Sequence, residues 1–395
     1  MEDGAIYLIL LLAVITGWML GYFSSRSRRP RGRTTEAIFE DYFVGLNYLL
    51  NDEPDEAIDT FIKALEINSD TVETHLALGA LLRRRGKVDK AIEVHRTLLA
   101  RPGLDSPVAD SARLQLALNY IAAGLLDRAE RLLREVQAEG SEAQWEALIH
   151  LITLYQTEKE WDEAIACSTS LLANPAFKRN NVVRSAAAHY CCELAEQHLA
   201  DGLPDKAQEL IKRAYAFNRN NVRATFLQAR LEDEAGNHAA AAKALQKAYA
   251  QNSDFISQIL LPLRNCYERM AAEKEYEKFL QTVLTETGKA DVAVELAQLL
   301  EKQKGVAEAE AFLREYVQQH QSQPDVIMAL LRLQARARTE DTDPNVLLLA
   351  QILQSGVAGK PVYQCSHCGY ESRNHNWLCP SCHRWDTGKP SGEFV

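Results

Sequence analysis

Four cysteines near the end of the chain have the types and spacing that bind a metal ion. Cys365 and Cys368 form one Cys-x-x-Cys pair, and Cys379 and Cys382 form a second pair after ten intervening residues. Two such pairs supply four thiolates to one tetrahedral ion, and both zinc and iron take that ligand set. The sequence therefore predicts one metal ion bound by these four side chains, with zinc and iron both open.

The residues around the cysteines favour a structural ion. The turns CSHCGY and CPSC look like those of rubredoxins, but rubredoxins place the pairs further apart and follow the second with glycine, where this chain has His383. A segment of about thirty residues cannot build an adequate core, so we expect the ion to supply folding free energy. Because four thiolates complete the shell, we interpret His367, His375 and His383 as non-ligands. We expect the nearby aromatic side chains to cover the site or dock it on the rest of the chain: Tyr363, Tyr370, Trp377 and Trp385.

No motif in the chain nominates a catalytic site. The sequence lacks a phosphate-binding glycine loop with its lysine, a His-Glu-x-x-His motif and a Gly-x-Ser-x-Gly elbow. A formal net charge of −10 disfavours a general nucleic-acid binder. We therefore predict a protein that is not an enzyme and binds no nucleic acid. The remaining cysteines are interpreted as small core side chains in a reducing compartment: Cys167, Cys191, Cys192 and Cys266.

The elements that precede this segment are helical repeats. The stretch 41–65 aligns with the stretch 74–99 at an offset of 34 residues, with Gly45 on Gly79 and Ala57 on Ala91. A period near 34 with small residues at two fixed places is typical of tetratricopeptide repeats. The same frame recurs around a series of later markers: Ala129, Ala164, Ala207, Ala241, Tyr276 and Ala309.

The repeat pattern predicts a superhelical array with a concave groove that holds a peptide or another protein. Small residues at both fixed places let the two helices of a unit approach closely. We expect about eight units over residues 38–322, and further helix to about residue 356 makes eight to nine. Pro262 is predicted to delay or kink the first helix of the seventh unit. Spacing places these side chains on the groove: Phe39, Tyr42, Leu46, Leu49, Arg223, Phe226 and Arg230.

The N-terminus has the pattern of a single-pass membrane anchor. Residues 5–23 carry no charge, and in a helix they span about 28 Å, close to the bilayer hydrocarbon thickness. Arginines cluster in residues 26–33, so the positive-inside rule places the N-terminus in the periplasm and the bulk of the chain in the cytoplasm. Gly17 and Gly21 form a small-xxx-small pair that could let two anchors pack as a homodimer.

The predicted fold class is all-α, with four segments in the chain. They are a transmembrane anchor at 1–24, a basic juxtamembrane linker at 25–37, a tetratricopeptide solenoid at 38–356 and a small rubredoxin-like or zinc-ribbon knuckle at 357–395.

In this order the segments resemble the lipopolysaccharide assembly protein B family of Gram-negative bacteria over essentially the entire chain. The resemblance rests on the uncharged span and on DYFVGLNYLLNDEPDEAID, HLALGALLRRRGKVDKAIEVHRTLL, AAGLLDRAE and YQCSHCGYESRNHNWLCPSCHRWDTGKP. It implies a non-enzymatic adaptor on the cytoplasmic face of the inner membrane that lowers lipopolysaccharide synthesis. Such an adaptor would promote degradation of the UDP-3-O-acyl-N-acetylglucosamine deacetylase, which commits precursor to lipid A, by the membrane-bound ATP-dependent metalloprotease. The family's metal ligands map onto the four cysteines, and the resemblance implies iron, with zinc as the alternative.

Two other functions remain open at this point. A general scaffold would assemble lipopolysaccharide-synthesis enzymes and other envelope-synthesis proteins at the membrane. It differs from the proteolysis adaptor only in which partners bind and in whether those partners are degraded. A rubredoxin-type electron-transfer protein would need a redox-active iron. A nucleic-acid-binding zinc ribbon is disfavoured because the basic and acidic side chains of residues 360–395 are nearly balanced.

Overall fold

The structure, a computed structural model, describes residues 44, 48, 60, 72–320, 324–337 and 362–390. Within these residues the chain forms fifteen α-helices followed by three short strands. The helices are α1 (Val72–Arg84), α2 (Val88–Leu99), α3 (Ser106–Ala122), α4 (Leu126–Glu139), α5 (Gln144–Glu158), α6 (Trp161–Ala173), α7 (Asn181–Ala200), α8 (Pro204–Phe217), α9 (Val222–Glu234), α10 (His238–Gln251), α11 (Ile256–Arg269), α12 (Glu273–Thr287), α13 (Ala290–Lys304), α14 (Val306–Gln319) and α15 (Pro324–Ala337). The strands are β1 (Tyr363–Cys365), β2 (Glu371–Ser372) and β3 (Gly388–Pro390).

Several predicted features lie outside the described residues. They are the anchor at 5–23, the basic linker at 25–37, nearly all of the first repeat unit with its groove positions, and the helix expected after α15. Among the residues that are described, no helix is both long and apolar enough to span a bilayer.

The helices follow one another as helix-turn-helix pairs, so the prediction of a tetratricopeptide array is confirmed for this part of the chain. In chain order α1 to α14 form seven pairs, and α15 packs on α13 and α14. The chain divides into two compact units at residues 1–147 and 148–395. The first contains α1 to α4, and the second contains α6 to α15 and the strands.

The turn inside a pair is set by a residue with a left-handed backbone. After α1, Gly86 has φ 75°, and the N–H of Lys87 donates to the carbonyl of Leu82 at 2.9 Å. This bond and the one from Gly86 to Arg83 form a Schellman motif, which ends the helix and reverses the chain. Glycine favours the position because it has no Cβ to clash there. The turns after α3, α7 and α9 also have a glycine at positive φ: Gly124, Gly202 and Gly236.

Small residues let the paired helices approach each other, as the repeat pattern predicts. Gly79 on α1 is buried directly against the ring of His95 on α2, and a Cβ at position 79 would overlap that ring. In the α11–α12 pair Tyr276 stands in place of alanine, stacks on Tyr267 at 5.4 Å between ring centroids and donates its hydroxyl to Glu295. The alanine markers of the second helices are all fully buried: Ala91, Ala129, Ala164, Ala207, Ala241 and Ala309.

Two details differ from the sequence-based expectation. Helix α11 begins at Ile256 and continues through Pro262, so the proline does not delay its start. Residues 362–390 are not helical, because their three strands form an antiparallel sheet in the order β2-β1-β3. The described residues therefore form a helical repeat array followed by a small β-containing knuckle, and residues 362–390 are called the knuckle below.

Candidate metal centre

The knuckle presents its four cysteines on two similar turns. In the first turn the N–H of Cys365 donates to the carbonyl of Tyr370 at 2.8 Å, and in the second the N–H of Cys379 donates to that of Arg384 at 2.9 Å. Gly369 follows the first pair with φ 76°, and His383 follows the second with φ 54°. His383 thus adopts the left-handed conformation that a glycine takes more easily. At this position the histidine therefore has a positive φ like that of Gly369 in the first turn.

The four sulfur atoms form one compact cluster. All four Sγ atoms lie within 4.8 Å of one another. The Cys365–Cys382 pair is separated by 3.7 Å and the Cys368–Cys379 pair by 3.6 Å. A tetrahedral ion with metal–sulfur bonds of about 2.3 Å requires sulfur atoms about 3.8 Å apart. The cluster therefore fits a tetrathiolate-bound zinc or iron ion.

The electrostatic environment of the cluster also fits a cation. A hydrogen bond from the Thr387 side chain, together with backbone N–H groups of Cys368 and His367, lowers the pKa of Cys365 to about 5. Burial, together with the neighbouring cysteine sulfurs, raises the pKa of Cys382 to about 12. One thiolate is thus stabilised by the protein, whereas full deprotonation of the cluster needs a positive charge at its centre.

The three histidines predicted to be non-ligands lie in different places. His367 accepts a hydrogen bond at Nδ1 from Arg384 at 3.3 Å. The His375 ring contacts the rings of Phe255 and Trp377, at 5.0 Å and 4.5 Å between centroids. Burial lowers the pKa of His375. Among the described residues, the metal-ligating cluster contains the four cysteines and no histidine.

The knuckle docks on the repeat array of the second unit through Trp385 and Asp386. The Trp385 ring lies parallel to the fully buried ring of His189 on α7, at 4.7 Å and 7°. The carboxylate of Asp386 accepts hydrogen bonds from His189 Nε2 and Ser185 Oγ, both at 2.8 Å. Burial acts to raise the pKa of Asp386, but the hydrogen bonds from His189 and Ser185 hold it below its usual range.

Gln156 on α5 forms a second point of attachment. Its Oε1 accepts hydrogen bonds from Trp385 Nε1 at 2.8 Å and from the Tyr190 hydroxyl at 2.9 Å, while its Nε2 donates to the carbonyl of His383 at 3.2 Å. The amide thereby joins the second cysteine turn to two helices of the array.

Trp377 forms the third point of attachment. It stacks on Phe255 at 5.1 Å and lies near Phe226 at 6.4 Å. The buried guanidinium of Arg223 lies about 6 Å from both the Trp377 and the Trp385 rings, within reach of a cation–π interaction. Burial disfavours the charge on this guanidinium, but salt bridges to the carboxylates of α7 raise its pKa above the ordinary value: Glu196 and Glu193.

The sequence predicted part of this interface. Of the four aromatic residues expected to dock or cover the site, Tyr363, Trp377 and Trp385 contact the array, and Tyr370 is 42% exposed. Arg223 and Phe226, both predicted to lie on the groove, contact the knuckle. Arg230, the third such position in this repeat, instead forms a salt bridge with Glu234 on its own helix. The roles of Asp386, His189 and Gln156 were not predicted, because their partners are about 200 residues away and leave no local pattern.

Comparisons with known proteins agree with these two parts of the molecule. A family model described as "Rubredoxin metal binding domain" matches residues 363–390, which include all four cysteines. Two tetratricopeptide repeat models match residues 77–194 and 266–373, and residues 192–254. With the sulfur geometry, these matches make the four cysteines a tetrathiolate metal-binding site at the end of a repeat array.

Similarity to named proteins extends over nearly the whole chain. Lipopolysaccharide assembly protein B of Escherichia coli K12 is 32% identical over 98% of this chain and 97% of its own length. The protein of that name from Haemophilus influenzae is 30% identical with the same coverage. Among solved structures, a tetratricopeptide repeat protein from Parabacteroides merdae matches with a TM-score of 0.34 and 15% identity, over 67% of this chain and 99% of its own.

Proposed function

Because the chain belongs to the lipopolysaccharide assembly protein B family, we propose that it is an inner-membrane adaptor that limits lipopolysaccharide synthesis. In this proposal it promotes degradation of the UDP-3-O-acyl-N-acetylglucosamine deacetylase by the membrane-bound ATP-dependent metalloprotease. The observation that carries the proposal is the similarity to lipopolysaccharide assembly proteins B over nearly the whole chain.

The architecture supports an adaptor. Tetratricopeptide arrays present long surfaces on which other proteins dock, and their stability comes from contacts between neighbouring repeats. In the proposal residues 5–23 anchor the chain with the N-terminus in the periplasm and the array in the cytoplasm. Tethering the array beside a membrane protease would raise the local concentration of any protein that the array holds. The chain itself would catalyse no reaction.

The metal centre has a structural role in this proposal. Cys365, Cys368, Cys379 and Cys382 would hold one zinc or iron ion. When bound, the ion ties the two cysteine turns together and supplies folding free energy that a segment of this size cannot obtain from its own core. The knuckle's docking residues alternate with the ligands along the chain, so a folded metal site fixes Trp377, Trp385 and Asp386 for their contacts with the array.

The test is the half-life of the deacetylase in native cells after depletion of this protein. We expect the half-life to rise several-fold while the rate of deacetylase synthesis stays constant. Re-expression of the wild-type chain should restore fast turnover, and a Cys365→Ser, Cys368→Ser chain should not. An unchanged half-life after depletion would reject the proteolytic role and leave a general scaffold as the better explanation.

A further inference from the structure

The knuckle covers one stretch of the array in the second unit and leaves another open. Its contacts include α5, α6, α7, α9, the turn before α11 and α11 itself, through Gln156, Trp161, His189, Arg223, Phe255 and Gln258. Further along the same unit, a groove of about 650 Å³ lies between α13 and α15. None of the residues lining this groove belongs to the knuckle.

The groove has an apolar floor. Val294 from α13 and Met328, Ala329 and Leu333 from α15 line it. Leu333 is almost fully buried, while the other three are partly exposed. Such a floor suits an aliphatic or aromatic side chain, because burying apolar surface against it removes that surface from water.

Some carboxylates of the groove form ion pairs and others do not. Glu295 is paired with Arg264 at 3.2 Å, and Glu301 is paired with Arg336 at 2.9 Å. Asp291 and Asp325, in contrast, form no ion pair with any residue that the structure describes.

The two carboxylates without an ion pair line the same groove, together with the Arg332 side chain. Burial, and then the negative charge of Asp291, raises the pKa of Asp325, and Arg332 opposes this shift only in part. Asp291 also accepts a hydrogen bond from the Ser257 hydroxyl, which holds the carboxylate in place. A cation placed between the two carboxylates would relieve their repulsion.

We propose that the groove between α13 and α15 is where the array binds a client protein, and that it takes a segment with an apolar side chain next to a lysine or arginine. The apolar side chain lies on the floor of the groove, and the cationic group lies between Asp291 and Asp325. This inference rests on the adaptor function proposed above. It differs from the docking of the knuckle, whose carboxylate Asp386 binds at His189.

The experiment measures binding of two labelled peptides to the full chain by fluorescence anisotropy. One peptide has leucine and lysine in alternation, flanked by glycines. The other peptide has the same sequence with glutamate in place of each lysine. We expect the lysine peptide to bind and the glutamate peptide to bind at least about tenfold more weakly. We expect the affinity of the lysine peptide to fall as salt is raised, because exposed charge pairs are screened.

Two variants show whether the peptide lies in this groove. Asp291→Lys with Asp325→Lys should weaken lysine-peptide binding at least about fivefold, since two charge contacts become repulsive. Asp201→Lys, at the exposed turn after α7, makes the same kind of change away from the groove and should leave binding unaltered. Equal binding of the two peptides, or full binding to the doubly substituted groove, would overturn the inference. Because the assay involves no protease, its result is independent of the half-life experiment.

Discussion

At the scale of single residues, His95 shows how the array fixes one side chain from several directions. Its ring is fully buried, accepts a hydrogen bond from Asn119 Nδ2 at 2.8 Å and donates from Nε2 to the carbonyl of Leu76 at 3.4 Å. Burial, with a smaller contribution from the nearby Arg83, lowers the pKa of His95 to about 4, although the hydrogen bond to the Leu76 carbonyl opposes this shift. The imidazole is therefore neutral at pH 7 and uses both ring nitrogens to join α2 to its neighbours.

The first prediction concerns the pH dependence that His95 imposes. Because its pKa is lower in the folded state than the ordinary 6.5, the unfolded chain binds more protons between pH 4 and 6.5. Stability should therefore fall as the pH falls through this window, by about 2 kcal/mol between pH 7 and 5. Hydrogen-exchange protection of α2 and α3 in the full chain, corrected for the intrinsic exchange rate, measures the change.

The matched variant for this prediction is His95→Gln, which cannot titrate. Its protection in α2 should be lower at pH 7 but should change much less between pH 7 and 5. If the wild type and the variant lost protection equally on acidification, another group would be responsible.

At the scale of elements, the array depends on small residues at the contacts between paired helices. Ala207 on α8 is fully buried, and Ile211 and Ala214 are buried further along the same helix, which packs on α7. Protein cores have little room for added volume, so a larger side chain at such a contact must push the helices apart. Tyr276 is tolerated in the α11–α12 pair because its hydroxyl has buried partners, Glu295 and the carbonyl of Leu260.

The second prediction is that Ala207→Leu destabilises the second unit by about 1–3 kcal/mol, the usual cost of overpacking. Urea unfolding followed by circular dichroism measures the loss. Ala216→Leu introduces the same side chain at an exposed position of the same helix and should change stability by less than about 0.5 kcal/mol. Equal effects of the two substitutions would show that helix propensity and not packing controls the contact.

At the scale of the whole molecule, the metal centre and the repeat array are joined by contacts between residues far apart in sequence. Trp385 is 229 residues from Gln156, and Asp386 is 197 residues from His189. The backbone that carries these docking residues is also hydrogen-bonded to the second cysteine turn, through the N–H of Asp386 to the carbonyl of Trp377 and that of Cys379 to Arg384. Loss of the metal should therefore disturb a surface on four consecutive helix pairs.

The third prediction is that Cys365→Ser with Cys368→Ser releases the metal and the knuckle together. Elemental analysis should show that the metal content falls from about one ion per chain to none, because two of four ligands are lost. The environment of Trp385 should become more polar, seen as a red shift of tryptophan fluorescence, and the knuckle should become sensitive to protease.

His367→Ala provides the control, since His367 lies between two of the cysteines in the sequence and its side chain is hydrogen-bonded to Arg384. This variant should keep the metal and the wild-type fluorescence. Retention of metal and docking by the double cysteine variant would show that the knuckle folds and docks without the ion.

Features that depend on local spacing could be predicted from the amino-acid sequence. The period near 34 residues and its buried alanines identified the helix pairs, because a unit repeats the same contacts with its neighbour each time. The two Cys-x-x-Cys pairs identified the sulfur cluster, because each pair forms its turn within a few residues. The expected function came from the resemblance to a known family, because residue spacing alone does not indicate it.

The position of the knuckle, and the part of the array that it covers, follow from contacts that the amino-acid sequence does not reveal. The fit of Trp385 on His189 and of Asp386 on Ser185 depends on the relative positions of elements separated by some 200 residues, and no periodic pattern records such a pairing. The same is true of the charge balance in the groove between α13 and α15. Side-chain distances between neighbouring repeats determine which of its carboxylates have a cationic partner. The pairing of Glu301 with Arg336 is an example.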